Sequence, residues 1–529
     1  MYPEWQLMKD GHPDVPTLEE WIYTNLGPTT PVGMNSYLST VADWERRRKT
    51  INLVPVPEMV QPLMPPSGEP YAELFARPEE FCGQRCEEKV AALVAALEQQ
   101  KCDVMVLSAL DEVAWLTNLR GTDVPFNPVF YAYAVVQRAT PTVHLFTHAQ
   151  KLPEQASKAA TTTAGGNSDA LLELHPYDGL EAYLRTLPCG SMFAVDSYQT
   201  SQRLYTMLEA LGMQTRRLNC GPAQQLKATK NAVEIGGFRR CHVRDGVALT
   251  RYLAWLHHAV ALKGDSSITE YSGAERLEAF RREEAHFVQL SFPTISSAGP
   301  NAAIVHYTPP RDGSAPIARD QLYLVDSGAQ YLDGTTDVTR TVCFQPPRPE
   351  EREAYTLVLK GNLALHDAVW PAGTSGHRLD ALARMALWRC GLNYTHGTGH
   401  GVGSFLNVHE GPQGIGILPT PTGATLAAGM VMSNEPGYYK DGSFGIRIEN
   451  LEVVVGADTK YSAKGYLTFD TLTMVPLCRE LIDAAALTEE ERRLVDAYHR
   501  TVCETLTPHL QRHNDSCALA YLEHHTAPL

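Results

Sequence analysis

Two stretches in the C-terminal half of the chain place acidic residues on either side of a turn, and this arrangement restricts the fold more than any other feature. In 433–450, Glu435 and Glu449 are equidistant from Gly442 of an Asp441-Gly442 turn. A hairpin centred there sets the two glutamates across from one another on one face, with Cβ atoms about 4.5 to 5.5 Å apart. In 322–342, two β-rich runs flank a turn region at Asp333-Gly334, a pair that tolerates positive φ and favours a hairpin end. A register with Asp326 opposite Asp337 then makes two more carboxylates converge.

Between these stretches lies 395–412, where Gly397, Gly399, Gly401 and Gly403 argue against a helix. They predict a loop whose backbone comes close to a metal or substrate, leaving the histidines His396, His400 and His409 as the functional side chains. One carboxylate beside a turn is an ordinary solvated residue, but four in two facing pairs are not. Crowded without partners they would raise one another's pKa and destabilise the fold unless cations are supplied. No neighbouring Lys or Arg cluster is large enough to do so. Two divalent ions balance four carboxylates and one does not, so a dinuclear, carboxylate-bridged centre is expected. Oxygen-rich ligation with one imidazole suits Mn(II), with Co(II) or Zn(II) as alternatives. Arg447 lies two residues before Glu449 and shares its strand face, which makes it a partner for a ligand carboxylate. His377 and His499 stand alone in sequence and read as surface or packed side chains.

The 529 residues correspond to two to four domains. A formal charge of -15 provides no general attraction for nucleic acid, and no hydrophobic run, of which 90–97 is the clearest, is long enough to span a membrane. The first residues lack the basic and apolar regions of a secretion signal. Eleven cysteines without a Cys-x-x-Cys pair suit reduced thiols, so a cytoplasmic location is expected. Seven prolines in 54–78 mark a linker and a boundary, giving segments 1–83, 84–226 and 227–529. The second alternates a helix at 86–100 with strands at 103–107 and 129–136, as a small α/β domain would. The third opens with a helical pattern from 227 to 262 and contains a helix at 349–369, where Tyr355, Val358, Leu359 and Leu363 form one apolar face.

With these motifs the chain resembles the pita-bread metallopeptidases, and within them the cytosolic Xaa-Pro aminopeptidases. The family's Asp, Asp, His, Glu, Glu ligand pattern is met by Asp326, Asp337, His400, Glu435 and Glu449. The stretches 292–307, 396–412, 435–439, 109–123 and 127–130 also resemble that family, so the likeness spans nearly the whole chain. The resemblance implies a mixed α/β fold, with creatinase-like domains at 1–83 and 84–226 preceding a pita-bread catalytic domain at 227–529, in a homodimer. It further implies a first domain extending upstream of the segment like 1–49, so that here it would be partial. The implied reaction is attack on the carbonyl before a second-position proline by a water or hydroxide bridging two metal ions, with Glu435 both ligand and proton acceptor. His306, His396 and His409 match histidines near the reacting centre, and His306, His396 and Tyr439 would line the proline slot. Tyr439 reads equally as a hairpin aromatic packed on a neighbouring strand. Proline-containing peptides are the expected partners, with neither nucleic acid nor membrane. A prolidase confined to Xaa-Pro dipeptides shares the same ligands, and a catalytically silent binding module of this fold typically lacks them.

Overall fold

The computed structural model describes residues 5–9, 13–56, 73–140, 142–148, 171–461 and 465–529. Most of the proline-rich linker expected at 54–78 lies outside these residues. The chain forms two compact units, the first made of 1–71, 90–113 and 131–223 and the second of 72–89, 114–130 and 224–529.

The first unit is built on a six-stranded mixed sheet in the order Gln214–Leu218, Met192–Asp196, Val104–Leu107, Ala132–Gln137, Val143–Thr147, Leu172–Pro176. Val104, Val106, Val135, Phe146, Phe193 and Val195 of these strands are buried against Leu204, Tyr205 and Leu208 of the helix Gln202–Ala210. The helix Val41–Arg47 joins the same core through Val41, whose N–H donates to Thr200 O at 3.0 Å. The expected strand at 129–136 begins at Ala132, and the helix expected at 86–100 runs Cys86–Gln99.

In the second unit, the helix Ala232–His257 starts at a capping box. The Asn231 side chain accepts from Val233 and Glu234 N–H, and Glu234 reaches back to Asn231. One π turn, His258–Leu262, ends it, where the 227–262 pattern also stops. The helix Pro349–His366 buries Tyr355, Val358, Leu359 and Leu363, the face read from spacing. These helices and Glu270–Arg282 enclose a core with the strands Tyr323–Ser327 and Val338–Val342. A second sheet runs in the order Trp370–Pro371, Tyr466–Thr471, Asn450–Ala457, Val431–Asn434, Gly399–Gly401, Glu410–Ile415. All eleven cysteines are free, and among the described residues no helix is long and apolar enough to cross a membrane.

The first acidic hairpin differs from its expected register. Asp326 pairs with Thr339, not Asp337, and the tight turn is Leu332-Asp333, closed by Tyr331 against Gly334. Neither Asp333 nor Gly334 has a positive φ. Asp333 is drawn inward by Arg244 and by Arg240 Nε at 3.5 Å, and Gly237 of the long helix presses on it, since a Cβ there would stand 2.1 Å from Asp333 O. Gly334 serves close packing, its missing Cβ clearing Cys241 Sγ. Asp337 therefore meets Asp326 diagonally, two residues from its partner and on the same face.

The second hairpin turns at Gly442, with φ of 69°. Gly437–Lys440 pairs with Phe444–Arg447, and Val431–Asn434 pairs with the start of Asn450–Ala457 in the same register. Glu435 and Glu449 face one another in the gap between these two ladders.

Candidate metal centre

At that gap the strands part and each backbone finds another neighbour. Glu435 N–H donates to Thr398 O at 2.9 Å and Glu449 N–H to Thr339 O at 3.2 Å. One bond draws in the His400 segment and the other the first hairpin. Arg340, fully buried, ties the same junction, with Nη1 donating to Thr339 O at 2.9 Å and Glu449 O at 2.7 Å.

The glycine-rich stretch is a strand where it carries His400, not the expected loop. A Cβ on Gly399 would stand 2.0 Å from Ser433 O, and one on Gly401 2.4 Å from Glu410 O. The glycines thus admit neighbouring strands rather than a ligand. His400 N–H donates to Ser433 Oγ at 2.9 Å, and that hydroxyl donates to Glu435 Oε1 at 3.2 Å.

These elements bring the acidic residues and His400 together. Asp326, Asp337 and Glu449 offer oxygens all within 4.8 Å of one another, and so do His400, Glu435 and Glu449 with one ligand atom each. His400 Nε2 lies 3.5 Å from Asp337 Oδ2 and 3.4 Å from Glu435 Oε1. Its Nδ1 faces Gly401 O at 2.9 Å, which places the proton there and leaves Nε2 a lone pair aimed at the carboxylates. His409 joins Asp337 and His400 in a third such group, its ring 4.1 Å from that of His400.

Electrostatically the cluster needs cations. Burial first, then the neighbouring carboxylates, push Asp337 and Glu449 well above the usual carboxylate range, and burial also raises Glu435. Arg447 donates to Asp326 Oδ2 at 2.6 Å, Tyr439 Oη at 2.7 Å and Thr339 Oγ1 at 3.1 Å. Among the described residues, buried Asp326 Oδ1 has no hydrogen-bond partner, an acceptor suited to a metal ion. The donor set of four carboxylates and one imidazole therefore fits divalent cations.

A cavity of about 480 Å³ opens on the cluster. All five clustered residues line it, with His306, His396, His409 and Arg447, and with Phe292, Pro293, Ile295, Val305 and Val408 as apolar wall. Tyr439 stands behind His396, its hydroxyl 2.8 Å from His396 Nε2. Because His396 Nδ1 faces Gly397 O at 2.7 Å, Nε2 is the acceptor and Tyr439 the donor. Burial, with Arg447 close by, holds His396 down to about 3, and burial holds His409 to about 4, so both imidazoles are neutral at pH 7.

Sequence reasoning missed Thr339, whose hydroxyl donates to Glu449 Oε2 at 2.7 Å, together with Arg340, Ser433 and the apolar wall. Thr339 follows Asp337 by two, so strand periodicity carried the signal for it. Arg340 faces the other way and had none.

Comparisons with known proteins agree with this geometry. Residues 236–456 match metallopeptidase family M24, 65–234 a creatinase/prolidase N-terminal domain, and 465–529 the C-terminal region of peptidase M24. A probable Xaa-Pro aminopeptidase P of Coprinopsis cinerea is 44% identical over 99% of this chain and 86% of its own length. One from Laccaria bicolor is 42% identical over 99% of this chain and 81% of its own length. The crystal structure of X-prolyl aminopeptidase from Caenorhabditis elegans, described as a cytosolic enzyme with a di-nuclear active site, superposes with a TM-score of 0.90 at 35% identity. That match covers 99% of this chain and 85% of the nematode chain. The prolidase of Pyrococcus horikoshii shares only the fold, with a TM-score of 0.56 at 18% identity over 74% of this chain and 99% of its own. By whole-length identity and by fold, the chain belongs to metallopeptidase family M24, with creatinase-type N-terminal and pita-bread catalytic domains.

Proposed function

We propose that this protein is a metal-dependent Xaa-Pro aminopeptidase, releasing the N-terminal residue from peptides with proline in second position. The observation that carries this reading is one pocket joining a carboxylate-rich ligand cluster to neutral histidines and an apolar wall. Its support beyond the site is the match along nearly the whole chain to relatives named for that activity.

Asp326, Asp337, His400, Glu435 and Glu449 would hold two divalent ions, with Mn(II) favoured by the oxygen-rich set. Bound there, such ions supply a Lewis acid for the scissile carbonyl and lower the pKa of a water. Glu435, oriented by Ser433 and facing His400, accepts the proton of the attacking water. His409, neutral at pH 7, takes up the proton that Glu435 removed from the water and passes it to the leaving proline nitrogen, which must depart as a secondary amine. His396 has both ring nitrogens engaged, so with Tyr439 it acts as a fixed wall of the proline slot. Proline suits such a slot because its nitrogen carries no hydrogen and its φ is fixed near about -65°. His306, exposed and lining the same pocket, would stabilise the developing oxyanion. The same reading carries a cytoplasmic location, supported by the nematode relative's description, and a homodimer, which light scattering would check.

The test is release of arginine from Arg-Pro-Pro, Arg-Pro and Arg-Ala-Pro with Mn(II) and then with a chelator. Cleavage of Arg-Pro-Pro but not Arg-Ala-Pro, lost to chelator, supports the reading. Cleavage of Arg-Pro alone makes the enzyme a prolidase, and no cleavage by metal-loaded protein makes it a binding module.

A further inference from the structure

Two other groups of ligand-type side chains converge among the described residues. In one, Cys478, Glu480 and His525, the imidazole Nδ1 already accepts Arg479 N–H at 3.3 Å, so its lone pair is taken. The other lies in the six-stranded sheet of the first unit. Val143–Thr147 and Leu172–Pro176 run parallel there, pairing His144 with Glu173 and Phe146 with His175. Alternation puts His144, Glu173 and His175 on one face.

One donor atom from each residue lies within 4.8 Å of the other two, close enough to converge on one ion. His144 Nδ1 lies 3.1 Å from His175 Nε2 and 3.3 Å from Glu173 Oε2, and His175 Nε2 lies 3.6 Å from Glu173 Oε1. Tetrahedral ligands at bonds of about 2.0 to 2.2 Å stand roughly 3.3 to 3.6 Å apart, so the two imidazole nitrogens need part only slightly to admit an ion. Aromatic packing fixes both rings: Phe146 stacks on His175 at 4.7 Å, and Tyr183 lies 4.5 Å from His144, its hydroxyl held by Gln137 at 2.7 Å. The imidazoles are 11% and 21% exposed while Glu173 is 56% exposed, so an ion reaches the group from solvent.

We propose that His144, Glu173 and His175 form a second kind of metal site, binding one Zn(II) with water completing a tetrahedron. Two imidazoles and one carboxylate are a borderline donor set that suits Zn(II), in contrast with the oxygen-rich catalytic cluster. The competing account is a plain N–H···N hydrogen bond between two neutral imidazoles.

Full-length protein stripped of metal is titrated with Co(II), a spectroscopic stand-in for Zn(II), and bound ions are counted by equilibrium dialysis. Wild type is expected to bind one ion more per chain than His175→Gln, with a tetrahedral Co(II) absorption that the variant lacks. Glu173→Gln, at an exposed position that does not endanger folding, is expected to weaken that ion at least tenfold. Activity on Arg-Pro-Pro should be unchanged in both variants. Equal stoichiometry and affinity in all three proteins would overturn the site and leave the hydrogen bond. Because the count is a difference between variants, it is independent of whether the catalytic reading holds.

Discussion

Asp326 shows in one side chain how the centre is assembled: Oδ2 takes the Arg447 guanidinium, while buried Oδ1 has no partner among the described residues. Asp326→Ala and His400→Ala each remove a proposed ligand donor, so metal content and turnover should fall together, by more than about 100-fold in affinity given that outer contacts alone cost about 10–100-fold. Full turnover with normal metal content in either variant would contradict the assignment. Thr339→Val deletes the hydroxyl on Glu449 and should weaken metal binding about 10-fold while leaving the fold intact, as read by metal titration and melting. His409→Ala should slow turnover with metal content unchanged, and a parallel loss of metal would make it a ligand instead. The ligand-type residues were legible because acidic pairs about turns are unusual. Thr339 and Arg340 were harder to find, because a hydroxyl or guanidinium in a strand looks the same in sequence whether it faces a site or solvent.

At the scale of elements, the second hairpin was readable to the residue because Asp441-Gly442 uses the positive φ that such a turn requires. The first was not: Asp333-Gly334 has the same turn chemistry, yet arginines on the long helix draw Asp333 inward and shift the turn by one residue. Likewise Gly399 and Gly401 read as loop residues, whereas their need is the contact of strand on strand, a tertiary demand absent from local sequence. Gly399→Ala would drive a Cβ into Ser433 O, and an overpacking cost of about 1–3 kcal/mol is expected as a lowered melting temperature with loss of turnover. An unchanged melt would mean that the strand can move aside.

For the whole molecule, stability should depend on pH through histidines remote from the site. Burial holds His242 to about 4, His499 to about 3 and His525 to about 4, against about 6.5 in an unfolded chain. Between those values the unfolded chain binds more protons, so this contribution is complete above about pH 6.5 and declines as pH falls toward 4. Each histidine should account for up to about 1.4 kcal/mol per pH unit. His242→Gln should therefore show a shallower fall in melting temperature from pH 7 to 5 than wild type, and parallel slopes would refute the assignment. The fold of the second unit itself followed from motif resemblance rather than periodicity, because helices such as Pro349–His366 are legible singly, whereas partners in its core such as Phe444, Ile446 and Leu477 lie far along the chain. The most direct measurement is a Mn(II) titration of metal-stripped enzyme, with bound ions and Arg-Pro-Pro turnover read in parallel. Turnover that is absent without metal and climbs as the five-residue cluster fills is the expected result. Full turnover in protein holding no divalent ion would contradict the account.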